Sequence, residues 1–228
     1  DAAVLPVDDA SKIVISTDAL VEGIHFFGEE EVDLIAQKSL RTNLSDMAAM
    51  GATPWVYTLS LSLGPVIKGT LDQWVASFVK GLKKDQDKYD VGLIGGDTVT
   101  GSGPTVISIT IIGRADPRGV ITRNGASVYD DIYVSGTIGD SAAGLKLIKE
   151  PVNDLAYADQ LYLKGRYYLP NPRVKLGRAL VGIASAAMDV SDGLIQDLGH
   201  LCSASGLGAI VNWPLVPLSK GVEKLLNK

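Results

Sequence analysis

Cysteine is almost missing from this chain. Cys202 is the single thiol, which excludes an internal disulfide and a multi-cysteine zinc site and fits a reducing cytosol. Basic runs are missing too. The formal net charge is -5, and no stretch of Lys and Arg supplies the stripe that nucleic-acid phosphates require, so no nucleic acid is expected as a partner. No apolar run is long enough to span a bilayer, and the opening DAAVLPVDDA has neither the basic nor the apolar part of a signal peptide. A cytoplasmic location without a membrane partner is therefore expected. Histidine is limited to His25 and His200, and neither a G-x-S-x-G elbow nor a G-x-x-x-x-G-K-[ST] phosphate loop occurs. The sequence thus offers no strong case for nucleophilic catalysis or Walker-type nucleotide binding.

What is present is the balance of an ordinary globular protein. Of 228 residues, 46% are hydrophobic and 21% charged, enough for one large domain or two smaller ones. The pattern predicts a short strand at Ile13–Ile15 and a helix from about Val32 to Met50 with Gly51 as its cap. A half-buried strand follows within Trp55–Leu63. Leu71, Trp74, Val75, Phe78, Val79 and Leu82 then follow helical spacing behind a capping box of Thr70 and Gln73. Strands are expected at Val91–Ile94 and Val106–Ile112, on either side of a Gly-rich turn. After residue 135 helices dominate, at 141–149, 157–169, 173–184 and 193–203, with short strands at 187–188 and 209–211. The expected fold class is α/β of the α+β type in two domains, 1–135 and 136–228. The second has few strands and reads as truncated, and a chain that begins with Asp rather than Met is expected to lack its true start.

Aspartates recur beside hydroxyl and glycine residues where an apolar segment ends. The cases are Ser16-Thr17-Asp18, Ser45-Asp46, Gly95-Gly96-Asp97-Thr98 and Asp189-Val190-Ser191-Asp192-Gly193, with Asp1 as a further candidate. Each has an ordinary explanation. Asp18 suits an Asx turn, Gly96-Asp97 a hairpin, and Asp192 a helix cap. Asp46 is harder to dismiss, because Leu44, Met47 and Ala48 surround it and an unpaired buried carboxylate is costly. Taken together, oxygen-only ligands point to hard cations such as magnesium, which takes one or two carboxylates plus substrate phosphates. Gathered without metal, such carboxylates would raise one another's pKa values. Gly136-Thr137-Ile138-Gly139-Asp140-Ser141 precedes a helix start and suits either an anion or plain capping. Arg123, in Thr122-Arg123-Asn124-Gly125, is either a solvated charge or a phosphate contact.

These segments resemble thiamine-monophosphate kinases. The likeness lies in Ile15-Ser16-Thr17-Asp18 with Val21-Glu22-Gly23-Ile24-His25-Phe26, in Asn43-Leu44-Ser45-Asp46-Met47-Ala48-Ala49-Met50-Gly51-Ala52, in Ile94-Gly95-Gly96-Asp97-Thr98, in Gly139-Asp140-Ser141 and in Asp189-Val190-Ser191-Asp192-Gly193-Leu194. The resemblance implies an aminoimidazole-ribonucleotide-synthetase-like fold whose N-terminal domains pair into a homodimer with a central barrel. It implies direct transfer of the ATP γ-phosphoryl group to thiamine monophosphate, with no general base because the acceptor oxygen is already anionic. Carried over, Asp1, Asp18, Asp46, Asp97, Asp189 and Asp192 would hold more than one Mg2+, with Ser16 or Thr17 assisting. Gly96, Asp97, Arg123, Ser191 and Tyr89 would meet ATP, and His25 the thiamine phosphate. The family's Gly-Asp ahead of Asp1 and its G-G-E-D-Y-E-L-type segment have no counterpart here. Aminoimidazole ribonucleotide synthetase, selenophosphate synthetase and a non-catalytic binding module remain as alternatives.

Overall fold

A computed structural model describes residues 2–6, 12–65, 69–150 and 154–227. Five strands, β1 (Ala3–Pro6), β2 (Lys12–Val21), β3 (Thr53–Leu63), β4 (Gly92–Thr100) and β5 (Val106–Arg114), form one mixed sheet in the order β1-β2-β5-β3-β4. All neighbours are antiparallel except β3 and β4, which run parallel because the helix α2 (Leu71–Tyr89) carries the chain back between them. Helix α1 (Val32–Ala49) lies on one sheet face, and α2 packs on α1. The Thr70–Gln73 capping box forms as its spacing requires. Val14 and Leu20 of β2, Ile35, Leu40, Leu44 and Met47 of α1, Tyr57 and Leu61 of β3, Phe78 and Leu82 of α2, and Ile107, Ile109 and Ile111 of β5 make the main core.

Three expectations need correction. Strand β2 continues past Ile15 to Val21, so Asp18 lies inside a strand and not at its end. Its alternation is the period-2 signal of a strand with one face covered: Val14, Ser16 and Leu20 are buried, whereas Thr17 and Ala19 are exposed. Strand β4 likewise runs straight through Gly95-Gly96-Asp97, where the sequence suggests a turn. The glycines serve close approach: a Cβ on Gly96 would stand 1.8 Å from the Leu59 carbonyl oxygen of β3. In α2 the buried stripe is Trp74, Phe78, Gly81, Leu82 and Asp85, while Leu71, Val75 and Val79 of the expected apolar face are exposed.

Contacts group the chain into two compact units, residues 1–122 with 171–189, and residues 123–170 with 190–228. Where the sequence suggests two continuous stretches divided near residue 136, the segment 171–189 returns to the first unit. The cause is helix α5 (Val174–Leu180), which packs on the C-terminal end of α1. A Cβ on Gly177 would stand 1.9 Å from the Ala48 carbonyl oxygen, so only glycine permits this crossing. In the second unit α3 (Asp140–Lys149), α4 (Tyr157–Tyr168) and α7 (Lys220–Leu226) enclose a small core of Leu147, Leu155, Leu163 and Val222. Helix α6 (Leu194–Ser205) and a 3-10 turn at Trp213–Leu215 complete it. Among the described residues this unit has no strand ladder, and the short strands expected at 187–188 and 209–211 do not form. No described helix is long and apolar enough to cross a membrane.

Candidate active site

Within the first unit, β2, α1 and the segment after α5 bring three carboxylates into mutual reach. Ser16 and Asp18 stand on the β2 face that α1 covers, and the Ser16 hydroxyl donates a hydrogen bond to the Asp46 carboxylate of α1. Burial raises Asp46 to about 6, the Ser16 hydroxyl opposes the shift, and the charges of Asp189 and Asp18 add to it. Asp18 is raised for the same reasons, burial first and then Asp189, with His25 acting in the other direction. The His25 ring is exposed and its Nδ1 accepts the Val21 N–H at 3.0 Å. Among the described residues no three His, Cys, Asp or Glu are set closely enough to hold one metal ion by themselves. The donor set is nevertheless all oxygen, and its crowding is the kind a divalent cation relieves. One or two carboxylates completed by substrate phosphates are what magnesium takes.

Other expected residues lie elsewhere. Thr17 points to the opposite sheet face, where its hydroxyl reaches the Ile109 carbonyl at 3.1 Å and Thr110 at 3.0 Å. Asp97 is exposed on β4 beside Ser60, accepting the Thr98 N–H, and three ladder spacings (roughly 14 Å) separate β4 from β2. Gly96 lies next to it against Leu59. Tyr89 packs against the main core, with the Lys88 ammonium 4.9 Å from its ring centre. Its hydroxyl is buried without a hydrogen-bond partner among the described residues. Asp1 lies outside the described residues.

In the second unit, Ser191 and Asp192 are exposed in the loop before α6. Arg123 lies in a loop that α6 fastens from its other end: the Ser205 hydroxyl donates to the Arg123 carbonyl at 3.0 Å and accepts the N–H groups of Gly125 and Ala126 at 3.3 Å. The Asp140 carboxylate is buried at the start of α3, where it accepts hydrogen bonds from Thr137 and Tyr162. These are side-chain contacts and not a cap: the N-cap of α3 is Gly139 with no side-chain cap hydrogen bond, so the capping expected of Asp140 or Ser141 does not form.

The profile described as AIR synthase related protein, N-terminal domain, matches residues 1–115. A thiamine-monophosphate kinase of Caulobacter vibrioides is 44% identical over 228 residues, which is the whole of this chain and 63% of that protein. The crystal structure of thiamine-monophosphate kinase from Stenotrophomonas maltophilia superposes with a TM-score of 0.88 at 40% identity, covering 100% of this chain and 72% of that one. The chain belongs to the thiamine-monophosphate kinase family. It spans about two thirds of the length of such relatives. A structure of AaThiL complexed with AMPPCP and TMP matches with a TM-score of 0.90 at 29% identity, over 99% of this chain and 71% of that one.

Three residues of this kinase-family chain escape sequence reasoning. Lys38 of α1 donates to the His25 carbonyl at 2.8 Å, and burial pulls its pKa down to about 8 against the opposing charge of Glu30. Asp197 and Gln196, in the first turn of α6, bind the Ser191–Gly193 loop. The available signal for Asp197 was a carboxylate among Leu194, Ile195 and Leu198. Lys38 looks like any helix-surface lysine.

Proposed function

We propose that the chain belongs to a magnesium-dependent kinase that transfers the ATP γ-phosphoryl group to thiamine monophosphate, giving thiamine diphosphate and ADP. The observation that carries the reading is the crowded trio Asp18, Asp46 and Asp189, on a fold shared with AaThiL in its complex with AMPPCP and TMP. AMPPCP is an ATP analogue, and TMP is read as thiamine monophosphate. More than one Mg2+ would neutralise phosphate charge and align the attacking and leaving oxygens. Asp46 and Asp18 would provide ligands, and the Ser16 hydroxyl would hold the Asp46 carboxylate in one orientation. Asp97, Asp189 and Asp192 are proposed as further ligands, with Gly96, Arg123 and Ser191 at the nucleotide. His25, exposed and anchored by the Val21 N–H, is proposed at the thiamine phosphate. The acceptor phosphate oxygen needs no base, so the site's task is positioning.

A cytosolic homodimer is proposed as well. All nine residues of the edge strand β4 are exposed, Leu93, Ile94 and Val99 among them, and an unpaired strand edge is a template for pairing. Incubation with Mg2+, ATP and thiamine monophosphate, followed by phosphorus NMR, tests the activity. Thiamine diphosphate should accumulate in step with ADP. ADP release only with formylglycinamidine ribonucleotide would end the assignment, and tight binding of both ligands without product would leave a nucleotide-binding module.

A further inference from the structure

The Asp197 carboxylate is 2% exposed, and a single oxygen, Oδ2, accepts three consecutive backbone N–H groups, from Ser191 at 2.9 Å, Asp192 at 3.1 Å and Gly193 at 3.0 Å. Successive amides converging on one point form a nest, the arrangement by which loops ahead of helices commonly take up phosphate oxygens. Here the nest is filled from inside the fold. The three N–H groups are withdrawn from any ligand, and Ser191 and Asp192 stay exposed. From the position next to Asp197, Gln196 Nε2 donates to Asp192 Oδ2 at 2.9 Å, so the side chain that the loop presents is also held.

We propose that Asp197 is a positioning residue that fixes the Ser191–Gly193 loop so that it presents the Asp192 carboxylate to a divalent cation instead of cradling phosphate with its amides. Gln196 sets the direction of that carboxylate. This deepens the kinase reading and rests on it for the identity of the ligand, while the internal hold on the loop stands on the hydrogen bonds alone. Charged acceptors for backbone N–H groups are among the stronger hydrogen bonds of a protein, so the loop is rigid before any ligand arrives.

The experiment uses the 228-residue chain with Asp197→Ala, Asp197→Asn and Gln196→Ala. Amide hydrogen exchange at residues 191–193 and the affinity for Mn2+ with AMPPCP are both measured. In Asp197→Ala the three amides should exchange about tenfold faster or more, as loss of charge-assisted hydrogen bonds predicts. Nucleotide-bound Mn2+ should bind about tenfold more weakly. Asp197→Asn keeps one acceptor oxygen and should recover part of both effects. Gln196→Ala should leave loop exchange as it is and weaken Mn2+ binding by about threefold. Unchanged exchange in both Asp197 variants, or faster exchange with unchanged Mn2+ affinity, overturns the proposal. Should Asp197→Ala fail to fold, Asp197→Asn decides by the same two readings. If the unsubstituted chain binds no Mn2+–AMPPCP, the kinase reading falls and the cation role with it, whereas the exchange data still judge the hold on the loop.

Discussion

Helix α1 makes two polar contacts five residues apart, and they meet opposite fates. Where α1 faces α2, Arg41 and Asp85 form a bidentate pair, Nε to Oδ2 at 2.6 Å and Nη2 to Oδ1 at 2.8 Å, with the Asp85 side chain fully buried. Gln37 adds a third acceptor for the guanidinium. Where α1 faces β2, Asp46 has the Ser16 hydroxyl but also burial and two like charges. The first contact is complete within the fold. The second leaves the carboxylate raised to about 6, so that a bound proton or cation would stabilise it. A charge that the fold satisfies serves the fold, and one left crowded marks where a ligand belongs.

That contrast gives predictions of graded size. Asp85→Ala leaves the Arg41 guanidinium buried and unpaired, and should lower the unfolding free energy by about 3–5 kcal/mol in urea titration. A loss under about 1 kcal/mol would mean that water reaches the pair. Gly177→Ala should cost about 1–3 kcal/mol, because its new Cβ must displace the Ala48 carbonyl and with it α5. As α5 leads into Asp189, the substitution should also draw the Asp46 pKa downward, seen by carbon-13 NMR titration. An unmoved Asp46 would mean that Asp189 does not depend on the α5 seat. Asp46→Asn reverses the usual sign. The carboxyl is raised to about 6 in the folded chain against an ordinary 3.8, so between those values the folded state binds more protons and its stability falls as pH rises. Removing the charge should therefore stabilise the ligand-free protein at pH 8 by roughly 1 kcal/mol, allowing for solvent screening, while abolishing phosphoryl transfer. A variant less stable than the parent at pH 8 would show that the Ser16 contact outweighs the crowding.

The same contrast explains what could be read from residues alone. The Thr70 capping box, the Trp74–Phe78 stripe and the α1 helix are local patterns and were legible. The strand through Gly95-Gly96 was not, because its reason is the Leu59 carbonyl of another strand. Asp18, Asp46 and Asp189 could be chosen by residue type and neighbours, yet their grouping depends on β2 running on to Val21 and on α5 turning back to α1. Strand parity separates Ser16 from Thr17, which the sequence left as equals. Asp197 stayed hidden because its three partners are backbone amides, which every residue but proline carries and no motif records.

The smallest expected effect concerns a cation on the same helix. Burial lowers Lys38 from 10.5 to about 8, and its ammonium donates to the His25 carbonyl. The unfolded chain keeps this proton up to about 10.5 while the folded protein releases it near 8. Across that window the unfolded state binds more protons, so this group's contribution to stability rises with pH. The useful quantity is the Tm of the parent minus that of Lys38→Met, in which the rest of the chain cancels. Loss of the His25 contact gives a constant offset, and burial of the charge adds a pH-dependent part. The difference should grow by roughly 2–4 °C between pH 7.5 and pH 10. A flat difference would place the ammonium in water and remove burial as the cause of its lowered pKa.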